Sequence, residues 1–303
     1  MPGFFFGSIF LTTFVTPSVC TSFRFTPLPA TFDTALVLRL YDWSETSQIA
    51  VLLTRNHGLV RAVAKGARRP LAKFSGGFEL LTAGTAGLLI KPEADLATAT
   101  EWDLTHPFWH LRRSLNAFYR ASLVAELLQK MIIDRDPQPT LFAAAVDYLQ
   151  SLRTLPDEDS PLLALLWLTL EHLGYKPQVQ ATISGEPLAE SGLLLFSPEY
   201  GGVVPHDAAA TGPVWTVRAS TMARLAELDN PLRKSISPAR LQHADDAPTA
   251  PEGPETRRAT RLLVSYCEYV IAQPLSSRRF CFPEWTSPDS APSQRNGPGQ
   301  SDR

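Results

Sequence analysis

The chain has 303 residues, enough for two domains of ordinary size, and its 44% hydrophobic content can supply their cores. A formal charge of −2 excludes a globally basic nucleic-acid binder, so any such surface must be local. Three cysteines (Cys20, Cys267 and Cys281), none at C-x-x-C spacing, argue against a disulfide scaffold and a thiolate zinc site, and suit a reducing cytoplasm.

The chain opens on an apolar run, FFFGSIFLTTFV, of signal-peptide length, and PSVCTS after it has the texture of a cleavage region. No Lys or Arg precedes the run, and it is too short to span a bilayer. Residues 1–31 are therefore read as an extension outside the fold, with no membrane association expected. A secreted or anchored protein is the alternative.

From Thr34 to Leu104 the texture is β. TALVLRLY, SQIAVLLT, GLVRAVAKG, GFELLTAG, AGLLIKP and ATATEWDL are short, rich in Val, Leu, Ile and Thr, and separated by turn residues. RNHG fits a hairpin turn, with Gly58 free to take a positive φ. Five or six such strands in so short a segment predict a small closed barrel, which leaves no exposed edges.

The next segment, HPFWHLRRSLNAFYRASLVAELLQKMI, repeats apolar residues near the helical period, and Pro107 suits a first turn. QPTLFAAAVDYLQSLRTL and SPLLALLWLTLEHLGY predict two more helices. Ser160 is expected as cap, Pro161 as first residue and Gly174 as stop. The third helix is apolar nearly all round, so it belongs at the centre of the helical core. Residues 176–213 break into short β-like pieces. A helix follows near Ser220–Leu228, then a Pro/Ala/Asp-rich loop. ETRRATRLLVSYCEYVIAQPL reads as a last amphipathic helix with Leu262, Leu263, Tyr266, Val270 and Ile271 inward. Residues 286–303 have a disordered composition.

No catalytic motif of the GxSxG, HExxH or GxxxxGK[ST] kind is present, and no enzyme activity is expected. His106 and His110 lack an adjacent carboxylate, so first-turn packing or exposure is expected, with no metal. Asp157, Glu158 and Asp159 read as a solvated acidic turn before a helix.

The informative segment is VAKGARRPLAKFSGG, Val63–Gly77, with four cations and no acid. Between Ala35 and Lys73 stand Arg39, Arg55, Arg61, Lys65, Arg68, Arg69 and Lys73. Against them are only Asp42 and Glu45, which leaves +5 here and −7 on the rest of the chain. Long cations on a loop over a barrel suit phosphates, giving affinity and salt dependence with little sequence readout. Tyr41, Trp43, Phe74 and Phe78 are aromatic candidates for base stacking, although core packing is the commoner role.

The stretch ALVLRLYDWSETSQIAVLLTRNHGLVRAVAKGARRP resembles the opening of the RecO family of bacterial recombination mediators. The shared pattern ends in Ala-Lys-Gly-Ala-Arg. FYRASLVAELLQKMI, LFAAAVDYLQSL, LEHLGYKP and RRATRLLVSYCEYVIAQPLSSRRF resemble its later helices, and the similarity runs from Thr34 to Phe282. The resemblance implies an α+β multidomain protein. An N-terminal OB-fold barrel at 32–105 is followed by an α-helical domain at 106–285. Inserted at 176–213 is a zinc-ribbon-like hairpin that here lacks its cysteines. Pro205 and Ala208 stand where a C-x-x-C pair is expected, and His206 alone cannot hold a metal. No cofactor is expected.

The same resemblance implies binding of single- and double-stranded DNA, strand annealing, and help in loading RecA, in the cytoplasm at the nucleoid. The implied protein partners are RecR and the C-terminal tail of single-strand binding protein. Arg112, Arg113 and Arg120 are candidates to rim a groove for that acidic tail. The alternative is an OB-fold adaptor between proteins, with no DNA-binding role of its own.

Overall fold

The computed structural model describes residues 30–74, 76–155, 159–206, 212–229 and 253–285. The acidic residues Asp157 and Glu158, Ala208, Cys20, the apolar opening run and the C-terminal tail lie outside these. Among the described residues no helix is long and apolar enough to cross a membrane.

Five strands form a closed barrel: β1 (Thr31–Asp42), β2 (Gln48–Thr54), β3 (Gly58–Ala64), β4 (Ala83–Leu89) and β5 (Ala97–His106). Their order is β1-β2-β3-β5-β4, with β1 closing on β4, as in an OB-fold. The pair β3·β5 is parallel and the others are antiparallel. GFELLTAG, expected as a strand of its own, is a connection with Leu81 at φ 58°, and β4 starts only at Ala83.

The period-two alternation of a strand sorts its side chains between two cores. Ala35, Val37, Ala50, Leu52, Val60, Ala62, Leu88 and Trp102 fill the barrel. Leu36, Leu38, Val51, Leu53 and Leu59 point outward and join the larger core of the helical region. Strands β1 and β2 are thus apolar on both faces for much of their length, which explains their near-continuous hydrophobic runs.

The helical region holds α1 (Leu115–Met131), α2 (Pro139–Ser151), α3 (Ser160–His172), α4 (Ala219–Asp229), α5 (Pro254–Val270) and the short α6 (Arg278–Cys281). The first helix begins later than Pro107 predicts. Phe108 takes a left-handed conformation (φ 43°), Trp109–Arg112 form a 3-10 turn, and the Ala117 N–H donates to the Ser114 hydroxyl as the true cap. His110 bonds the Leu149 carbonyl at 2.8 Å, and His106 meets the Thr105 hydroxyl at 2.9 Å. Each ring packs near Phe108, so the two do not form a ligand pair. Ser160 is the first residue of α3 rather than its cap. Asp159, expected in a solvated turn, is buried against Arg120 at 2.6 Å. As expected, α3 is buried almost all round, between α2 and α5.

Four more strands form a second sheet: β6 (Gln178–Thr182), β7 (Leu193–Ser197), β8 (Gly202–Val204) and β9 (Trp215–Arg218), in the order β6-β8-β7-β9. Aromatic packing ties it to α5. Phe196 stacks on Trp215 with centroids 5.9 Å apart and meets Tyr266 edge-on at 5.7 Å.

Two devices lock the parts together. The α1–α2 connection seats on the barrel: Arg135 N–H donates to the Leu59 carbonyl at 2.9 Å, and its guanidinium reaches the carbonyls of Lys91, Pro92 and Ala94 in the β4–β5 loop. At the other end, the Glu126 carboxylate of α1 accepts from Lys130 Nζ (2.9 Å) and from the backbone N–H groups of Ser276 (2.9 Å) and Ser277 (2.8 Å).

Gly58 takes φ +67° in the β2–β3 turn, and a Cβ there would lie 2.1 Å from the Asp136 carbonyl oxygen. Gly58→Ala is expected to cost at least about 2 kcal/mol, read as a lower midpoint of urea unfolding. Burial alone would raise the Glu126 carboxyl, but the donors from Lys130, Ser277 and Ser276 outweigh it and hold the value at about 2. A carboxylate with a depressed native value stabilises the fold above its ordinary 4.5 and loses that contribution as pH falls from there towards 2. Between pH 5 and pH 3 the unfolding midpoint of the wild type should therefore fall more steeply than that of Glu126→Gln.

Candidate nucleic-acid interface

Two loops of the barrel are stitched edge to edge. The β1–β2 turn closes through Trp43 N–H to the Ser47 carbonyl at 3.1 Å. The β3–β4 connection then bonds across to it: Gly66 N–H donates to the Ser47 hydroxyl (3.1 Å) and Arg68 N–H to the Thr46 carbonyl (3.1 Å). Two tight turns follow, Arg69 N–H to Gly66 O and Ala72 N–H to Arg69 O, both at 3.0 Å.

The connection is then anchored downward. Phe74 and Phe78 enter the barrel, where Phe78 lies 4.9 Å from the Trp102 ring. Neither is free to stack on a base. The Gln48 side chain donates to Phe78 O (3.2 Å) and accepts from Phe78 N–H (3.0 Å). Gly77 passes so close that a Cβ would sit 2.8 Å from Gln48 Oε1, at φ +109°. Lys73 O accepts from Trp102 N–H at 2.8 Å. The backbone is thus fixed, while Lys65, Arg68, Arg69 and Lys73 are exposed.

Strand register extends the surface. Arg39 pairs with Val51 on β2, and Val51 with Arg61 on β3, so the two arginines share the outer face. Two strand spacings put them about 10 Å apart. Arg39 lies over the Tyr41 ring at 4.9 Å. Tyr41 is exposed, and Trp43 is 67% exposed. Two cations carry carboxylate partners: Arg68 with Asp42 at 2.5 Å and Arg61 with Asp134 at 3.5 Å. Exposed pairs of this kind contribute about 0–1 kcal/mol, so an incoming phosphate can displace either carboxylate.

Arg55 is not part of this surface. It sits in the β2–β3 turn at the far end of β2, about 20 Å from the β1–β2 turn by strand rise. Beside it, buried Asp33 accepts from the backbone and side chain of Asn56 (both 2.9 Å) and contacts His57 Nδ1 at 2.7 Å.

The three groove candidates separate. Arg120 is only 8% exposed and points inward to Asp159, so it cannot rim a groove. Its place on α1 beside Ala117 and Ala121 puts it on the buried face. Arg112 and Arg113 lie before α1 rather than on it, and both are exposed. Arg112 meets Glu79 at 2.5 Å and lies 5.1 Å from the Trp109 ring centre. It borders a cleft of about 460 Å³ between barrel and helices, which Arg68 also borders and which Leu40, Phe78, Leu81 and Phe118 help line.

Sequence reasoning missed Ser47 and Gln48, and it counted Asp42 only as an acid without its pairing to Arg68. A serine and glutamine beside a turn gave the only signal. Among the described residues no group of three His, Cys, Asp or Glu side chains is assembled to hold a metal.

A family model described as the N-terminal part of recombination protein O matches residues 31–108, and one for its C-terminal part matches residues 112–279. The DNA repair protein RecO of Salinibacter ruber is 33% identical over 210 residues, 68% of this chain and 80% of that protein. The protein of the same name from Anaeromyxobacter sp. (strain K) is 29% identical over 248 residues, 82% of this chain and 94% of that protein. That of Synechococcus sp. (strain JA-3-3Ab) is 33% identical over 219 residues, 67% of this chain and 72% of that protein. Barrel and helical region are matched in order and almost end to end, and the chain belongs to the RecO family.

Proposed function

We propose that this chain acts in DNA repair as a recombination mediator, binding single- and double-stranded DNA on the two-loop face of its barrel. The observation that carries the reading is the stitched pair of loops. It holds Lys65, Arg68, Arg69 and Lys73 outward on a rigid backbone, with Arg39 and Arg61 continuing the charge over the strands. Neutralising phosphates on two strands at once lowers their mutual repulsion and lets complementary strands anneal, with no bond made or broken in the protein and no nucleotide hydrolysed. The curated relatives carry the name DNA repair protein, which agrees with this reading.

Further steps complete the proposal. The annealed or coated strand is passed to RecA, with RecR and the acidic tail of single-strand binding protein as contacts, in the cytoplasm at the nucleoid. Arg112, exposed at the cleft between barrel and helices, and the exposed Arg113 next to it in the chain are the candidates left to meet such a tail. Arg55 is assigned no part in the main DNA path. The second sheet is proposed to stand on its aromatic packing to α5 rather than on zinc.

The triple variant Arg68→Ala, Arg69→Ala, Lys73→Ala is expected to weaken binding to single-stranded DNA. It should also flatten the plot of log K against log salt by about 0.7 to 0.9 for each phosphate no longer neutralised. Wild-type affinity at every salt concentration would remove the loop from the site. No gel shift by the wild type would favour the adaptor reading. Metal analysis of the purified chain is expected to show no stoichiometric zinc, with a melting temperature unchanged by chelator; one zinc per chain refutes this.

A further inference from the structure

Leu71 is 99% exposed. It is not on a loose tail. Pro70 and Leu71 are the two central residues of the turn closed by Ala72 N–H to Arg69 O at 3.0 Å. Proline fixes the first corner of such a turn, so Leu71 stands at an apex and cannot fold back onto the barrel. The feet of the turn are pinned as well, by Arg68 N–H to Thr46 O and by Trp102 N–H to Lys73 O.

The surroundings of that apex define what can cover it. Arg68 and Arg69 precede it and Lys73 follows, all exposed, and no acidic residue occurs from Val63 to Gly77. Arg68 is paired with Asp42, but Arg69 before the apex and Lys73 after it suit a surface that is apolar where the leucine enters and anionic on both sides. A nucleic-acid duplex has this profile: stacked bases inside, phosphates outside. The exposed Trp43 belongs to the loop stitched to this one.

We propose that Leu71 is a wedge that enters a base step of double-stranded DNA and unstacks it, while Arg69 and Lys73 hold the flanking phosphates. Apolar side chains inserted between bases kink and open a duplex, and they work only from a support that does not recoil. The pinned turn is that support. The activity adds local opening of a duplex to the strand-pairing role, and it rests on the DNA-binding reading above.

The test uses the full chain and a duplex carrying 2-aminopurine at central positions, whose fluorescence rises when the base loses its stack. Saturating wild type is expected to raise the signal. Leu71→Ser should lose most of the rise and bind the duplex about three- to tenfold more weakly, with an unchanged salt slope. Leu71→Phe, which keeps an apolar wedge, should retain the rise. A bound duplex with no rise, or a wild-type rise from Leu71→Ser, overturns the wedge and leaves the electrostatic reading standing. Unchanged unstacking by Leu71→Ser with loss of a protein partner also overturns it, because the residue then serves that protein instead. No binding of either single- or double-stranded DNA by the wild type overturns the earlier reading itself, and the wedge with it.

Discussion

Burial of β1 and β2 on both faces is the constraint from which the rest of this structure follows. Inside the barrel, Val37 and Leu52 share a core with Trp102; outside it, Leu36, Leu53 and Leu59 join the helical core. The barrel therefore has no free outer wall at that end. What stays open is the end where Arg39 and Tyr41 leave the core and the two loops meet. Position of the charge is a consequence of where apolar packing stops.

The same division explains how a loop with several glycines can be stiff. Gly66 and Gly77 give the backbone its turns, yet Phe74 and Phe78 sink into the barrel and Gln48 holds the connection at Phe78 from the side. Rigidity comes from the apolar anchors, and binding capacity from the cations between them. Asp42 and Asp134 supply counter-ions for Arg68 and Arg61 that an incoming polyanion would displace.

Much of this was legible in the sequence where the cause is local. Alternation and turn residues marked the strands, Gly58 marked the hairpin, and the all-round apolar pattern of α3 marked the helical centre. The misreadings have non-local causes. Pro107 looks like a helix start, but Phe108 is held left-handed where the barrel ends, and Ser114 caps the helix instead. Arg120 and Asp159 both read as surface charges because their partners are 39 residues apart in sequence. Arg55 joined the basic group by composition and left it by strand rise. The clamp from Arg135 to the β4–β5 loop has no sequence signal, since its acceptors are backbone carbonyls.

The seat of the α1–α2 connection on the β2–β3 turn has a consequence for how the chain can be divided. Gly58 leaves room for Asp136 and for nothing larger, and Leu59 pairs its backbone with that connection. A fragment cut after β5 would present Leu36, Leu38, Val51, Leu53 and Leu59 to water as one continuous apolar sheet face. The two family models meet between residues 108 and 112, yet the larger of the two cores runs across that boundary. The larger core takes residues from both barrel strands and helices, so the outer face of β1 and β2 depends on the helices for its burial.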